Sequence, residues 1–299
     1  MRYPAPLLPG DKVCVVSPAG KIAKEVIDKA VQTLRAWGLE PIVAEHAFDE
    51  CGRFASTKEN RLLDLENALL DTRIKAILCS RGGYGAVQLL EAIPREMIRH
   101  NVKWLIGYSD ITLLHAAFTN SGVVSLHAPM AKHIGEYPQD EVTETIRSIL
   151  FGGRPKYKVE SHPLNRPGFA EGSVIGGNLA VMSGLRGTPY DFNYKGSILF
   201  IEDIGESPYK IERMLYNLRL GGVFEQIGGL IVGQFSDCAE DPSMDSTIYE
   251  NIRRMVDDYT FPVCFDFPCG HVTLNVPLLE GAPAFFEVTD KEVILRFLE

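Results

Sequence analysis

Short apolar runs and amphipathic stretches alternate along the first half of the chain. Residues 12–17 (KVCVVS) form a β-rich run after the Gly10-Asp11 turn. Residues 22–37 place Ile22, Val26, Ala30, Val31 and Leu34 on one side at helical spacing, and Gly38 follows as a stop signal. The pattern then predicts strands over 40–44 (EPIVA), 74–80 (IKAILCS) and 103–108 (KWLIGY), with another short strand starting at Val123 and Val124. Helices are predicted over 57–70, 86–93 and 111–118. Thr57 is the cap candidate of the first of these, and Leu62, Leu65 and Leu69 are its apolar face. Strand alternating with helix is the signature of a parallel sheet with helices on both faces. Ligands of such sheets bind beyond the carboxyl ends of the strands.

The pattern changes near Phe151. The stretch FGGRPKYKVESHPLNRPGFAEGS is rich in Gly, Pro and charge and has little periodicity, which reads as a linker. Beyond it the apolar runs over 172–177, 197–202, 229–233 and 284–288 predict strands with glycine turns, and 210–220 and 246–257 predict helices. The expected organisation is an α/β domain with a parallel sheet over 1–152, a linker over 153–170, and a smaller β-rich, α+β domain over 171–299.

Composition narrows the function classes. The 299 residues are 45% hydrophobic and 23% charged, which suits a packed globular chain rather than a disordered one. Thirty basic residues against thirty-nine acidic ones give a net charge of -9, so no general nucleic-acid partner is expected. No apolar run is long enough to span a membrane. The opening residues carry three prolines and no apolar signal region before Gly10, so they do not read as a secretory signal. Cys14, Cys79 and Cys264 sit in apolar runs, and no CxxC pair occurs. Free thiols and a cytoplasmic location are expected.

Two turns carry chemistry. In VKWLIGYSDITLLHAAF an apolar strand ends at Gly107-Tyr108, Ser109 sits at the turn, and a helix begins at once. A hydroxyl at that junction lies beside unsatisfied helix N–H groups and the positive end of a helix dipole, a setting suited to a nucleophile whose product oxygen becomes negative. The segment is like the elbow G-x-S-x-G with Ile111 in place of the last glycine. The competing reading is that Ser109 or Asp110 only caps the helix. In ILCSRGGYG a strand runs into Arg81-Gly82-Gly83-Tyr84-Gly85, where backbone N–H groups can approach a phosphate or an oxyanion. An ordinary glycine turn is the alternative. The dinucleotide fingerprint fails at Gln88, and no Walker loop is present.

A serine nucleophile needs a base, and a base needs an orienting acid. Of the seven histidines, His115 reads as a helix-face residue, while His127 and His271 are available. His271 lies in FPCGHVTLN, a loop bounded by Pro and Gly that can present a ring to a ligand. The strand SILFIED ends in Glu202 and Asp203, either of which can hold an imidazole in one tautomer. The same two acids could instead bind a metal ion, although no histidine lies near them in sequence.

Several blocks in order resemble the LD-carboxypeptidase family of serine peptidases, clan relatives of the microcin-immunity peptidases. They are GDKVCVVSPAG from Gly10, CSRGGYGA from Cys79, IGYSDIT from Ile106, LHAPM from Leu126, GGNLAVMSGLRGTPY from Gly176, FIEDIGESPYKIERML from Phe200 and GHVTLNVPLLEGA from Gly270. The resemblance implies Ser109 as nucleophile, His271 as general base, Glu202 as its orienter, and an oxyanion hole from the backbone N–H groups of Asp110 and Gly83. It implies a Rossmann-like (flavodoxin- or amidotransferase-like) N-terminal domain, a β-rich C-terminal domain, a site between them and a homodimer. The implied reaction removes terminal D-alanine from murein tetrapeptides during peptidoglycan recycling, with no metal or organic cofactor. Microcin-immunity members carry a longer, aromatic-bearing loop between the positions of Gly187 and Glu202, so the short form here points to the murein-type substrate. Arg81, Tyr84, Arg186, Glu206, Tyr209 and Arg213 are the candidates for contacting that substrate, with a structural ion pair as the alternative role for Arg186 and its neighbours.

Overall fold

The computed structural model describes residues 1–298. Its chain divides into two compact units: Met1–Arg154 with Val276–Gly281, and Pro155–Asn275 with the residues from Ala282 onward.

The first unit follows the alternating pattern. In order it contains β1 (Lys12–Val16), α1 (Lys24–Ala36), β2 (Glu40–Val43), α2 (Lys58–Leu70), β3 (Ile74–Cys79), α3 (Arg95–His100), β4 (Trp104–Gly107), α4 (Thr112–Asn120), β5 (Ser125–His127), α5 (Ala131–Glu136) and α6 (Glu141–Leu150). Residues Ala86–Ala92 form a 3-10 helix where an α-helix was expected. β2, β1, β3, β4 and β5 lie side by side and parallel, as short strands joined by helical crossovers must. Their side chains, including Val13, Val15, Ile77, Leu78, Leu105 and Leu126, are fully buried, because helices cover both faces. Thr57 caps α2 by accepting the Asn60 N–H at 3.2 Å.

The buried face of α2 differs from the leucine stripe. It is Arg61, Asp64, Leu65, Ala68 and Leu69. Two charged groups sit on the inward side at helical spacing, and Leu62 is only half-buried.

The second unit contains β6 (Lys156–Glu160), β7 (Gly168–Asn178), α7 (Leu179–Ser183), β8 (Ile198–Ile204), α8 (Pro208–Leu220), β9 (Gly229–Ser236), α9 (Ile248–Met255) and β10 (Val263–Cys264). The chain then gives β11 (Leu278–Glu280) to the first unit before closing with β12 (Pro283–Val288) and β13 (Glu292–Phe297). The strand order is β10-β9-β8-β7-β12-β13-β6. β7 to β10 pair in parallel, and β7, β12, β13 and β6 pair antiparallel.

Two boundaries are corrected. The stretch over 153–170 is not a linker: β6 pairs with β13, and β7 begins at Gly168. The run KYKVE alternates exposed and half-buried positions, the pattern of a charged edge strand, and its low hydrophobicity hides it. The domain expected over 171–299 is interrupted. β11 pairs antiparallel with β5, Leu278 opposite His127 and Glu280 opposite Ser125. Among the described residues, no cysteine is in a disulfide, and no helix is long and apolar enough to cross a membrane.

Candidate active site

Ser109 lies in the first unit, at the carboxyl end of β4. It takes φ of 66°, in the left-handed region that side chains rarely adopt. The strain comes from the abrupt change from strand to helix within two residues: Tyr108 is still extended, and Ser109–Ile111 already turn as 3-10 helix. Gly107 makes room for this. A Cβ there would lie 3.0 Å from the Ile111 side chain, so the apolar residue standing where an elbow ends in glycine packs back over the first glycine.

The glycine turn meets the serine. A Cβ on Gly82 would lie 2.9 Å from Ser109 Cβ, 3.1 Å from its Oγ and 3.3 Å from the Asp110 nitrogen. Gly83 follows at φ of 107°, exposed, beside Gly20 and Arg81. Arg81 donates to the Lys21 carbonyl at 3.0 Å. Tyr84 is exposed, packs on Phe54 at 5.9 Å and has the Arg53 guanidinium 5.4 Å from its ring.

Glu202 and His271 lie in the second unit and meet there. His271 Nδ1 is 2.7 Å from Glu202 Oε2, and Glu202 is wholly buried. The loop carrying the histidine is fastened from both sides. Phe267 N–H donates to the Val232 carbonyl at 3.1 Å, Gln234 N–H to the Cys269 carbonyl at 2.9 Å, and Gly270 N–H to Asn275 Oδ1 at 2.9 Å. Gly270 has φ of 125°, and a Cβ there would come within 2.9 Å of Glu202 Oε2. Gly233 on β9 leaves space for Cys269, whose carbonyl would be 2.6 Å from an added Cβ. Burial and then the Glu202 carboxylate push the Cys269 thiol well up, so it stays neutral beside the pair.

The register of β8 against β9 shifts between Ile201 and Asp203, and the two neighbouring acids have different partners. Glu202 faces the imidazole. Asp203 accepts Asn178 Nδ2 and the Ala180 N–H, each at 2.9 Å, and the Ile204 N–H at 2.8 Å. Its carboxyl is pushed up to about 6, chiefly by burial. Separate partners thus occupy the two carboxyl groups, which does not favour a metal ion shared between them.

The other candidates in the second unit have separate surroundings. Arg186 Nη1 donates to Asp191 Oδ2 at 2.6 Å and Nη2 to the Gly221 carbonyl at 3.3 Å, over the Tyr194 ring. Glu206 is 3.3 Å from Lys210 Nζ. Tyr209 is exposed, with the Arg213 guanidinium 5.4 Å from its ring.

The structure adds a group that the sequence did not single out. His115, His127 and Glu280 are fully buried in the first unit, with one possible ligand atom each within 4.8 Å of the others. His115 stands on α4, the helix after Ser109, with its ring wholly buried. Its Nε2 bonds the Gly107 carbonyl at 2.9 Å and its Nδ1 meets Ser125 Oγ at 2.7 Å. With both nitrogens committed, this ring braces the strand that ends at the serine. His127 Nδ1 is 3.9 Å from Glu280 Oε1. The signal for this group was the run of small and apolar residues around each histidine, which no exposed ring would need.

Comparison with known proteins gives the family. The description of the LD-carboxypeptidase N-terminal domain matches residues 13–128, and that of the C-terminal domain matches 171–285. The chain belongs to the LD-carboxypeptidase family. It is thus a hydrolase of a serine carboxypeptidase family. A murein tetrapeptide carboxypeptidase of Pseudomonas aeruginosa is 30% identical, the match covering 92% of this chain and 93% of that protein. A Bacillus subtilis protein described as a probable murein peptide carboxypeptidase is 33% identical, covering 98% and 94%. Among solved structures, a muramoyltetrapeptide carboxypeptidase from Oxalobacter formigenes superposes with a TM-score of 0.89 at 25% identity, over 96% of this chain and 99% of that one. The microcin C7 self-immunity protein MccF, in complex with aspartyl sulfamoyl adenosine, shares the fold with a TM-score of 0.85 at 24% identity, over 98% and 97%.

Proposed function

We propose that this member is a serine-type LD-carboxypeptidase that releases the terminal D-alanine of murein tetrapeptides through an acyl-enzyme. The observation that carries the reading is the 2.7 Å contact between His271 Nδ1 and buried Glu202, because a carboxylate there holds the proton on Nδ1 and fixes the orientation of the ring, as the acid of a triad does for its base. In this reading Ser109 Oγ attacks the carbonyl before the D-residue while His271 takes its proton. The Asp110 and Gly83 N–H groups stabilise the oxyanion, and the leaving amine receives the proton from His271. Water, activated by the same ring, then releases the acyl group. The tight packing of Gly82 on Ser109 supports the assignment of this turn to the oxyanion.

The relatives named for murein peptides support the substrate class. The proposal extends to turnover of cell-wall peptides in the cytoplasm by a homodimer, with Arg81, Tyr84, Glu206, Tyr209 and Arg213 available to the peptide. Arg186 has the weakest claim, since Asp191 already occupies its guanidinium.

The test is incubation of the purified protein with murein tetrapeptide, followed by mass spectrometry. Loss of one alanine supports the reading. An intact tetrapeptide, with cleavage of an acyl sulfamoyl adenosine instead, would move the protein to the microcin-type reaction. Light scattering on the same preparation tests the dimer, and a monomeric mass rejects it.

A further inference from the structure

One peptide group beside Ser109 is gripped from both ends by buried charges. The Gly85 carbonyl accepts Arg61 Nη1 at 3.0 Å, and the Ala86 N–H, in the same peptide unit, donates to Asp110 Oδ2 at 2.9 Å. The Gly85 N–H is directed at the same carboxylate. Arg61 and Asp110 are 2% and 3% exposed. Arg61 places its remaining donors on the Pro18 carbonyl at 2.7 Å, the Ser56 carbonyl at 3.2 Å and Gln88 Oε1, with the Phe54 ring 4.9 Å away. A Cβ on Gly85 would lie 2.7 Å from Arg61 Nη1, and its φ of 141° also demands glycine.

Two buried charges are a poor means of gaining stability, since apolar residues of the same volume serve as well or better. What they supply here is a fixed direction for one backbone segment. Gly82, at the other end of the turn, packs on Ser109, and Asp110 is the residue after Ser109. The side chain of Asp110 therefore ties its own backbone to the turn that faces the serine.

The geometry points to Arg61 and Asp110 as positioning residues that clamp the 82–86 turn against Ser109 through the Gly85–Ala86 peptide, with the charged Asp110 carboxylate as the latch. This rests on the reading of that turn and the Asp110 N–H as the oxyanion site. The titratable groups that act on Asp110 are Arg61 from α2 and Cys79 from β3. Burial drives the Cys79 thiol far up, so it carries no charge. Burial also pushes the Asp110 carboxyl up to about 6, against the pull of its N–H donors and of Arg61. Below that pH the carboxyl gains a proton and gives up acceptor strength toward the two N–H groups.

The experiment compares wild-type protein, Asp110→Asn and Ser109→Ala on murein tetrapeptide from pH 5 to 8. Asparagine copies the neutral acid. Asp110→Asn should lower kcat roughly 10²-fold at pH 7.5 with little change in KM, and the wild-type to variant ratio should shrink toward unity near pH 5. Effects of other titrating groups cancel in that ratio. Arg61→Lys should recover part of the kcat that Arg61→Met loses. In the wild-type protein alone, the Ala86 amide resonance should titrate with a midpoint near 6, which tests the latch even if a variant fails to fold. A pH-independent ratio, or an Ala86 amide that does not titrate, overturns the clamp. A Ser109→Ala variant with normal turnover overturns the serine reading and the clamp together. An inactive Ser109→Ala with a flat Asp110→Asn ratio overturns the clamp alone.

Discussion

Gly82 and Ser109 approach so closely that a methyl group on the glycine would lie 2.9 Å from the serine Cβ. Neither neighbour can yield cheaply, because both are held by backbone. Gly82→Ala should therefore displace either the turn or the hydroxyl. A misplacement of an ångström costs about 10²-fold in turnover, so kcat on murein tetrapeptide should fall by at least that much. Wild-type kcat in a folded Gly82→Ala protein would detach this turn from the reaction.

The Glu202–His271 contact makes a second prediction. Glu202→Gln keeps the shape but no longer favours the Nδ1-protonated ring, and loss of such an orienting acid costs about 10⁴-fold in kcat. Asp203→Asn should alter stability rather than turnover, since Asp203 bonds Asn178 and backbone N–H groups. Steady-state kinetics and melting curves on the two variants separate the roles. Equal kinetic losses would mean that the two acids had been divided wrongly.

Ser109 keeps a backbone conformation that a glycine would adopt freely. Holding an L-residue there costs about 1–2 kcal/mol, and the flexibility of glycine in the unfolded chain returns about 0.5–1 kcal/mol of that. Ser109→Gly should thus abolish turnover while stabilising the fold by up to about 1.5 kcal/mol. Denaturant unfolding measures the balance. A variant less stable than wild type would show that the serine backbone is not under strain.

His115 predicts a pH effect on stability. Burial lowers its pKa to about 4, whereas an unfolded histidine titrates near ~6.5. Below that value the unfolded chain binds a proton that the folded chain refuses. The contribution of the neutral buried ring is fully present above about pH 6.5 and is lost as the pH falls toward about 4. His115→Gln has no such loss. The stability difference between wild type and variant should narrow on acidification by up to about 3 kcal/mol. Denaturant unfolding at pH 7 and pH 4.5 reads this, and a constant difference would place a charged ring in the core.

The parallel sheet of the first unit was legible because each strand is a short apolar run, and burial on both faces requires such runs. Ser109 and the 81–85 turn were legible because both stand just past apolar strands, at the end of a parallel sheet where ligands bind. β6 was missed because an edge strand needs no strong hydrophobicity. Arg61 was missed because a charged residue on an amphipathic helix is assigned to the outer face by default, although its spacing to Leu65, Ala68 and Leu69 puts it on the inner one. Glu202 and Asp203 could not be told apart until the partners of each were known. The pairing of β11 with β5 joins residues about 150 positions apart in sequence, and no local pattern reports it.

That late strand constrains how the protein is made. The sheet that carries the serine has its last member at Leu278–Glu280, after nearly all of the second unit has been synthesised. While the chain emerges from the ribosome, β5 waits with an open edge and His127 without Glu280 beside it. A gene cut after Arg154 would encode every helix of the first unit but not its outermost strand. The sheet that carries Ser109 is therefore completed only near the end of synthesis, although most of its strands are made first, and β12 and β13 of the second unit follow it.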